Sequence, residues 1–284
     1  MARRIHSLPA VAVATDLSYL ATQVDGTLLT LFVDGVESSA IDIEDPAHLE
    51  FEYMQQIRIA INAVFPLPTP LRVLHLGGAG CALARALEAN RPNSRQLAIE
   101  LDPEITVFAR EHFDLPKAPR LRIRAEDART TLDTNKGSWH VIVRDAFRRG
   151  RIPEHLATVE AHAQAARLLT DDGLYLLNIA GEAGLGPVYR EVRALEHSFA
   201  HIIAIADPAI AKNRRFGNVV IVAAHQPIPA ADIDRLVRKL PLPTIVVPED
   251  RLRFSAQGFQ PLRDEDIGWP ELVLEPFIDT APDP

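Results

Sequence analysis

The sequence predicts an α/β fold, a mostly parallel sheet flanked by helices and preceded by a small antiparallel β-region. Three observations lead there. From Leu71 onward, strand-length apolar runs alternate with stretches of helical period, the pattern that crossover connections into a parallel sheet require. Upstream, residues 1–50 carry short alternating runs such as TLLTLFVDGV, punctuated by Asp25-Gly26 and Asp34-Gly35. Such pairs favour tight hairpin turns because glycine accepts positive φ. Between these regions, LEFEYMQQIRIAINAVF places apolar residues at helical spacing, and PLPTP ends that helix in a stiff linker.

The elements follow in order. LRVLHL is a buried strand, and a glycine turn leads from it into the helix CALARALEAN. QLAIE is a second strand, followed by a helix over 103–113. LRIR and WHVIVR are a third and a fourth, and a helix is predicted over 155–169. GLYLLNI, then HIIAIA and NVVIVAA after another helix, complete a seven-stranded sheet. The chain thus divides into an N-terminal β-hairpin domain (1–50), a connecting helix and linker (51–70), the α/β domain (71–225) and a C-terminal helix and tail (226–284). The helix in the last part is AADIDRLVRKL.

Composition narrows the function classes. A net charge of −8 argues against a general nucleic-acid-binding role. Cys81 is the only cysteine, so an intramolecular disulfide or a thiolate metal cluster is excluded, which fits a reducing cytoplasm. The ten histidines form no HxxxH-type cluster, and no metal is expected. The apolar run near the start is broken at Asp16, favouring a first strand over a signal peptide. No apolar segment approaches the roughly 20 residues of a membrane helix.

In an open α/β sheet, ligands bind beyond the carboxyl ends of the strands, and four strand ends here carry suggestive residues. Gly77, Gly78 and Gly80 follow the first. They suit close backbone approach to a ligand, or simply a tight turn. Glu100 ends the second, where an acid can accept both ribose hydroxyls of a nucleoside. Glu126 and Asp127 follow the third. Either can read the amino edge of adenine, while Asp127 also suits a helix N-cap. Asp145 ends the fourth, beside Arg144, Arg148, Arg149 and Arg151; it can be a catalytic carboxylate, half of an ion pair, or a cap. Cys81 opens a helix, where a thiol can be activated, but a small residue filling the turn explains it better.

Together, VLHLGGAG, LAIELDPE, RAEDART and WHVIVRDAF, with VDGVESS and LEFEY upstream, resemble the spermidine synthase (polyamine aminopropyltransferase) family over roughly residues 25–225. The resemblance implies a methyltransferase-like Rossmann fold after an N-terminal β-domain. It implies decarboxylated S-adenosylmethionine as cofactor, a small-molecule amine as acceptor, no metal, no membrane or nucleic-acid partner, and a homodimer. On it, Glu100 holds the ribose, Asp127 the adenine, and Asp145 stands at the proton-accepting aspartate. Tyr53 matches a tyrosine near the amine substrate. The sequence departs from the family at two acids. Gly80 stands where a GGGDGG-like turn has an aspartate for the cofactor's amino end, and Arg148 replaces a second acid near the amine. An inward Arg148 would repel a cationic acceptor. S-adenosylmethionine-dependent methyl transfer and a non-catalytic nucleoside-binding role are the alternatives. An NAD-dependent reading ranks below them, because Leu83 replaces the third glycine of the dinucleotide motif.

Overall fold

Two hairpin turns of the N-terminal region form at the Asp-Gly pairs, over Gly26-Thr27 and Asp34-Gly35. The computed structural model of the chain describes residues 12–15, 17–78, 80–148, 150–181 and 185–269. Strands β1 (Ala12–Ala14), β2 (Tyr19–Asp25), β3 (Leu28–Val33) and β4 (Val36–Asp42) form an antiparallel sheet in sequence order. Asp34 and Gly35 both take positive φ, 53° and 78°, as a two-residue hairpin turn of the primed type demands. The Asp34 side chain also accepts the Tyr19 amide at 2.8 Å. Helix α1 (Glu52–Val64) follows.

The second sheet is built from β5 (Arg72–Leu76), α2 (Ala82–Asn90), β6 (Arg95–Glu100), α3 (Pro103–His112), β7 (Leu121–Ala125), α4 (Ala128–Thr134), β8 (Trp139–Arg144), α5 (Val159–Leu168), β9 (Leu169–Gly181), α6 (Gly186–Leu195), β10 (His201–Ala206), α7 (Pro208–Ala211) and β11 (Gly217–Ala224). The chain continues through α8 (Ala230–Val237), β12 (Ile245–Val247), α9 (Glu249–Ala256) and α10 (Asp264–Ile267). The strand order is β12-β10-β11-β9-β8-β5-β6-β7. Strands β5 to β9 pair in parallel, whereas β11 runs antiparallel to both β9 and β10.

Two differences from the sequence reading have local causes. An eighth strand joins the predicted seven, because the short IVV segment β12 pairs with β10 at the edge. The helix predicted from His155 begins instead at Val159, because the Thr158 hydroxyl caps it by accepting the Ala161 amide at 3.1 Å. His155 is left in a short 3₁₀ turn over Glu154–Leu156.

The sheet is buried on both faces. On one, Val73, Val141, Val143 and Leu176 meet α2 and α3, and the same cluster runs on through Ile57 and Ile61 of α1 to Leu29 and Leu31 of β3. On the other, Leu74, Leu76, Ile142 and Leu177 pack against α4, α5 and α6. Among the described residues, no helix is long and apolar enough to cross a membrane.

Candidate active site

The topology fixes where a ligand can enter. The β5–β6–β7 crossovers place α2 and α3 on one face, while α4, α5 and α6 cover the other. The sheet therefore switches direction of winding between β5 and β8, where a crevice opens at the strand ends. At that crevice Gly77 has φ +82°, and a Cβ on it would lie 2.4 Å from the Asp145 carbonyl oxygen. Only glycine fits there. Backbone bonds from Gly77 to Ile99 (2.9 Å), Asp145 to Leu76 (2.8 Å) and Glu126 to Glu100 (3.1 Å) continue the sheet past its strands. They set Asp145, Gly77, Glu100 and Glu126 in a row along one edge. Ala79 of the turn lies outside the described residues.

Asp145 is held on both sides. Its Oδ2 accepts the Tyr53 hydroxyl and its Oδ1 the Asn178 amide, each at 2.9 Å. Burial lifts its carboxyl above the usual range, although the Asn178 and Tyr53 hydrogen bonds and the Arg144 charge pull it back. Burial, then the neighbouring Asp145 charge, pushes the Tyr53 phenol well above its usual range, so it is a donor at neutral pH. The ion-pair alternative with Arg144 does not form. As the preceding strand residue, Arg144 points to the opposite face, where it is fully buried and pairs with Glu191. It also donates to the Leu156 carbonyl at 3.2 Å.

Sequence reasoning missed Asn178. The signal was there: an amide inside the apolar run GLYLLNI, which a buried strand tolerates only when it has a partner. Its Oδ1 is buried without a hydrogen-bond partner among the described residues. The crevice walls come from Met54, His75, Gly77, Gly78, Cys81 and Asp145. His75, buried and bonded to Gln96 at 3.0 Å, has its pKa driven down to about 4 by burial, so it is neutral at physiological pH.

The remaining sequence candidates are arranged as follows. Gly78 donates to Glu100 at 3.4 Å, and Glu100 also accepts the Asp102 amide at 3.2 Å. Glu126 accepts Arg124 at 2.9 Å and the Thr131 hydroxyl. Asp127 is the N-cap of α4, taking the Arg129 and Thr130 amides on one oxygen at 2.8 and 3.1 Å. His155 reaches its other oxygen at 2.9 Å. Burial raises the Asp127 carboxyl, but the His155 contact and these amides outweigh burial and hold it below the usual range. Arg148 is exposed, in a turn closed by mutual backbone bonds with Arg151. Arg149 lies outside the described residues.

Gly80 leaves no room for a side chain. A Cβ there would meet the Phe113 ring at 2.0 Å and the Ser39 hydroxyl at 2.7 Å. Cys81 has φ +57° and is buried, and burial pushes its thiol up to about 12. This supports the packing role over a reactive one.

The parallel order β9-β8-β5-β6-β7, wound with helices on both faces and a glycine turn after β5, defines the methyltransferase-like Rossmann class. No family model matches the chain. A solved probable spermidine synthase from Corynebacterium glutamicum ATCC 13032 superposes with a TM-score of 0.84 at 30% identity, covering 98% of this chain and 100% of that one. Human Methyltransferase-like protein 13, solved in complex with SAH, shares the fold alone, at 19% identity, with a TM-score of 0.54 over 67% of this chain and 94% of that one. The polyamine aminopropyltransferase of Vibrio vulnificus (strain CMCP6) is 28% identical over 147 residues, 51% of this chain and 49% of that protein. The match to this curated relative thus spans about half of its length. The chain belongs to the spermidine synthase (polyamine aminopropyltransferase) family as a divergent member.

Proposed function

We propose that the chain is a transferase that binds decarboxylated S-adenosylmethionine and passes its aminopropyl group to a small amine, with Asp145 as proton acceptor. The observation that carries this reading is the partly buried carboxylate itself, clamped by Tyr53 and Asn178 beyond the end of β8. A protonated amine cannot be a nucleophile, so a base must take its proton as the nitrogen attacks. Burial raises the proton affinity of Asp145, which suits it to that task. The two clamps fix which way its oxygens face. Neutral His75 adds no opposing charge.

The residues fit a nucleoside cofactor. A glycine turn follows β5, and at Gly77 the Asp145 backbone passes where a Cβ would stand. In this reading Gly77, Gly78 and Gly80 cradle the cofactor, Glu100 takes the ribose hydroxyls, and Glu126 and Asp127 form the base end. When bound, the cofactor supplies an electrophilic carbon beside a sulfonium. The protein aligns the amine with it, and alignment accounts for much of the rate. Tyr53 then serves on the amine side. Arg148, exposed at the turn after β8, bears on which acceptors approach rather than on the chemical step. Assembly as a homodimer belongs to the same proposal. Exposed Leu17, Tyr19 and Val36 on the N-terminal sheet support it, and light scattering tests it.

The deciding assay incubates the protein with decarboxylated S-adenosylmethionine and a panel of amines, scoring release of 5′-methylthioadenosine. Release with any one amine supports aminopropyl transfer. No release with any of them, alongside measured binding of ordinary S-adenosylmethionine, supports the second reading, methyl transfer. Gly80 favours that alternative, since the packing of Phe113 excludes an acid at a position where it would repel an α-carboxylate.

A further inference from the structure

The Asp127 carboxylate is fully engaged. Its Oδ1 caps α4, and its Oδ2 accepts from the Nε2 of His155 at 2.9 Å. Held below the usual carboxylate range, Asp127 is ionised and can only accept, so Nε2 carries the proton of this bond. The His155 ring also lies flat on Trp269, with centroids 4.9 Å apart and planes at 4°. The Arg129 guanidinium stands 5.1 Å from the same indole.

Trp269 is held in place by the segment that carries it. Asp264 takes both terminal nitrogens of Arg129, at 2.8 and 2.6 Å, and the Thr158 hydroxyl at 2.7 Å. Its amide donates to Glu160 at 3.0 Å, and its carbonyl accepts the Trp269 amide at 3.1 Å. The backbone after His155 is fixed as well, because buried Arg144 holds the Leu156 carbonyl at 3.2 Å. Only the imidazole is left to move.

A flat nitrogen heterocycle, stacked on an indole and donating an N–H to a strand-end carboxylate, has the recognition chemistry of an aminopurine. We propose that His155 is an internal stand-in for the nucleobase. Binding of a 6-aminopurine nucleoside exchanges the His155–Asp127 hydrogen bond for one from the base, and Trp269 belongs to the base subsite. This inference rests on the nucleoside-binding reading given above, and it adds two residues, one of them contributed by the C-terminal segment.

The test uses 5′-methylthioadenosine as probe and calorimetry as readout, comparing the full-length chain with its His155→Ala variant. Removing the competitor is expected to tighten binding about tenfold, the factor that one charge-assisted hydrogen bond carries. The second readout leaves His155 intact. Trp139→Phe leaves Trp269 the only tryptophan, and its emission is expected to change on saturation as its stacking partner is exchanged. Equal affinities with unchanged emission would overturn the proposal while leaving nucleoside binding in force. Weaker binding by His155→Ala would also overturn it, since His155 would then hold the base rather than yield to it. If neither protein binds the probe, the nucleoside reading fails and takes this proposal with it.

Discussion

Asp145→Asn separates the chemistry of the site from its architecture. In the folded chain each Asp145 oxygen accepts one hydrogen bond, from Asn178 and from Tyr53, both at 2.9 Å. An asparagine keeps its oxygen toward Asn178 and turns its amide toward Tyr53, whose hydroxyl can rotate to accept. The hydrogen bonds survive and the proposed base does not. Loss of a positioned general base costs about 10²–10⁴ in rate, or about 3–5 kcal/mol of barrier. The assay is release of 5′-methylthioadenosine with the best amine, at saturating nucleoside, with nucleoside affinity measured separately by calorimetry. The turnover number is expected to fall by that factor while nucleoside affinity changes little. Stability should move the other way. Burial raises the Asp145 carboxyl above its unfolded value, so its ionisation opposes folding once the pH exceeds the ordinary carboxylate range. The variant, lacking that charge, is expected to melt no lower than the parent at pH 7, and any advantage should vanish below the ordinary carboxylate range. Turnover within about tenfold of the parent, well short of a general-base loss, would refute Asp145 as the proton acceptor.

Three further outcomes follow from the same geometry. Tyr53→Phe removes a bond that pulls the Asp145 carboxyl down, so the acid limb of the rate profile should move to higher pH; an unmoved limb would detach Tyr53 from the base. Gly80→Ala drives a Cβ to 2.0 Å from the buried Phe113 ring, and thermal denaturation should show a loss of about 1–3 kcal/mol, as overpacking usually costs. Cys81, with its thiol pushed up to about 12, should resist an aromatic disulfide reagent at pH 8 until guanidinium unfolds the chain; rapid labelling of the native protein would contradict the packing role.

The sequence determined what depends on neighbouring residues. Near-continuous apolar runs of strand length, ended by turn residues, locate most of β5 to β11, because a sheet buried on both faces selects such runs directly. The Asp-Gly turns and the glycine after β5 are legible for the same reason: they are demands of local φ. Strand-end acids such as Glu100 and Asp145 could be nominated from position alone. Three proline-flanked residues carry too little pattern to reveal β12. The cap that starts α5 after His155, where the Thr158 hydroxyl accepts from the Ala161 amide, is also local, but the PEHLA residues before it continue the helical pattern and hide it.

Only the tertiary structure decided which side chains surround each of those acids. Tyr53 reaches Asp145 across 92 residues of chain and Asn178 reaches it across 33. The bond between Arg129 and Asp264 that positions Trp269 spans 135. The ring of Phe113 beneath Gly80, and the pairing of Arg144 with Glu191 rather than Asp145, are likewise products of the sheet order. Local pattern sets the direction in which each side chain leaves the backbone. What it meets there is set by which strands become neighbours, and that is a property of the whole folded chain.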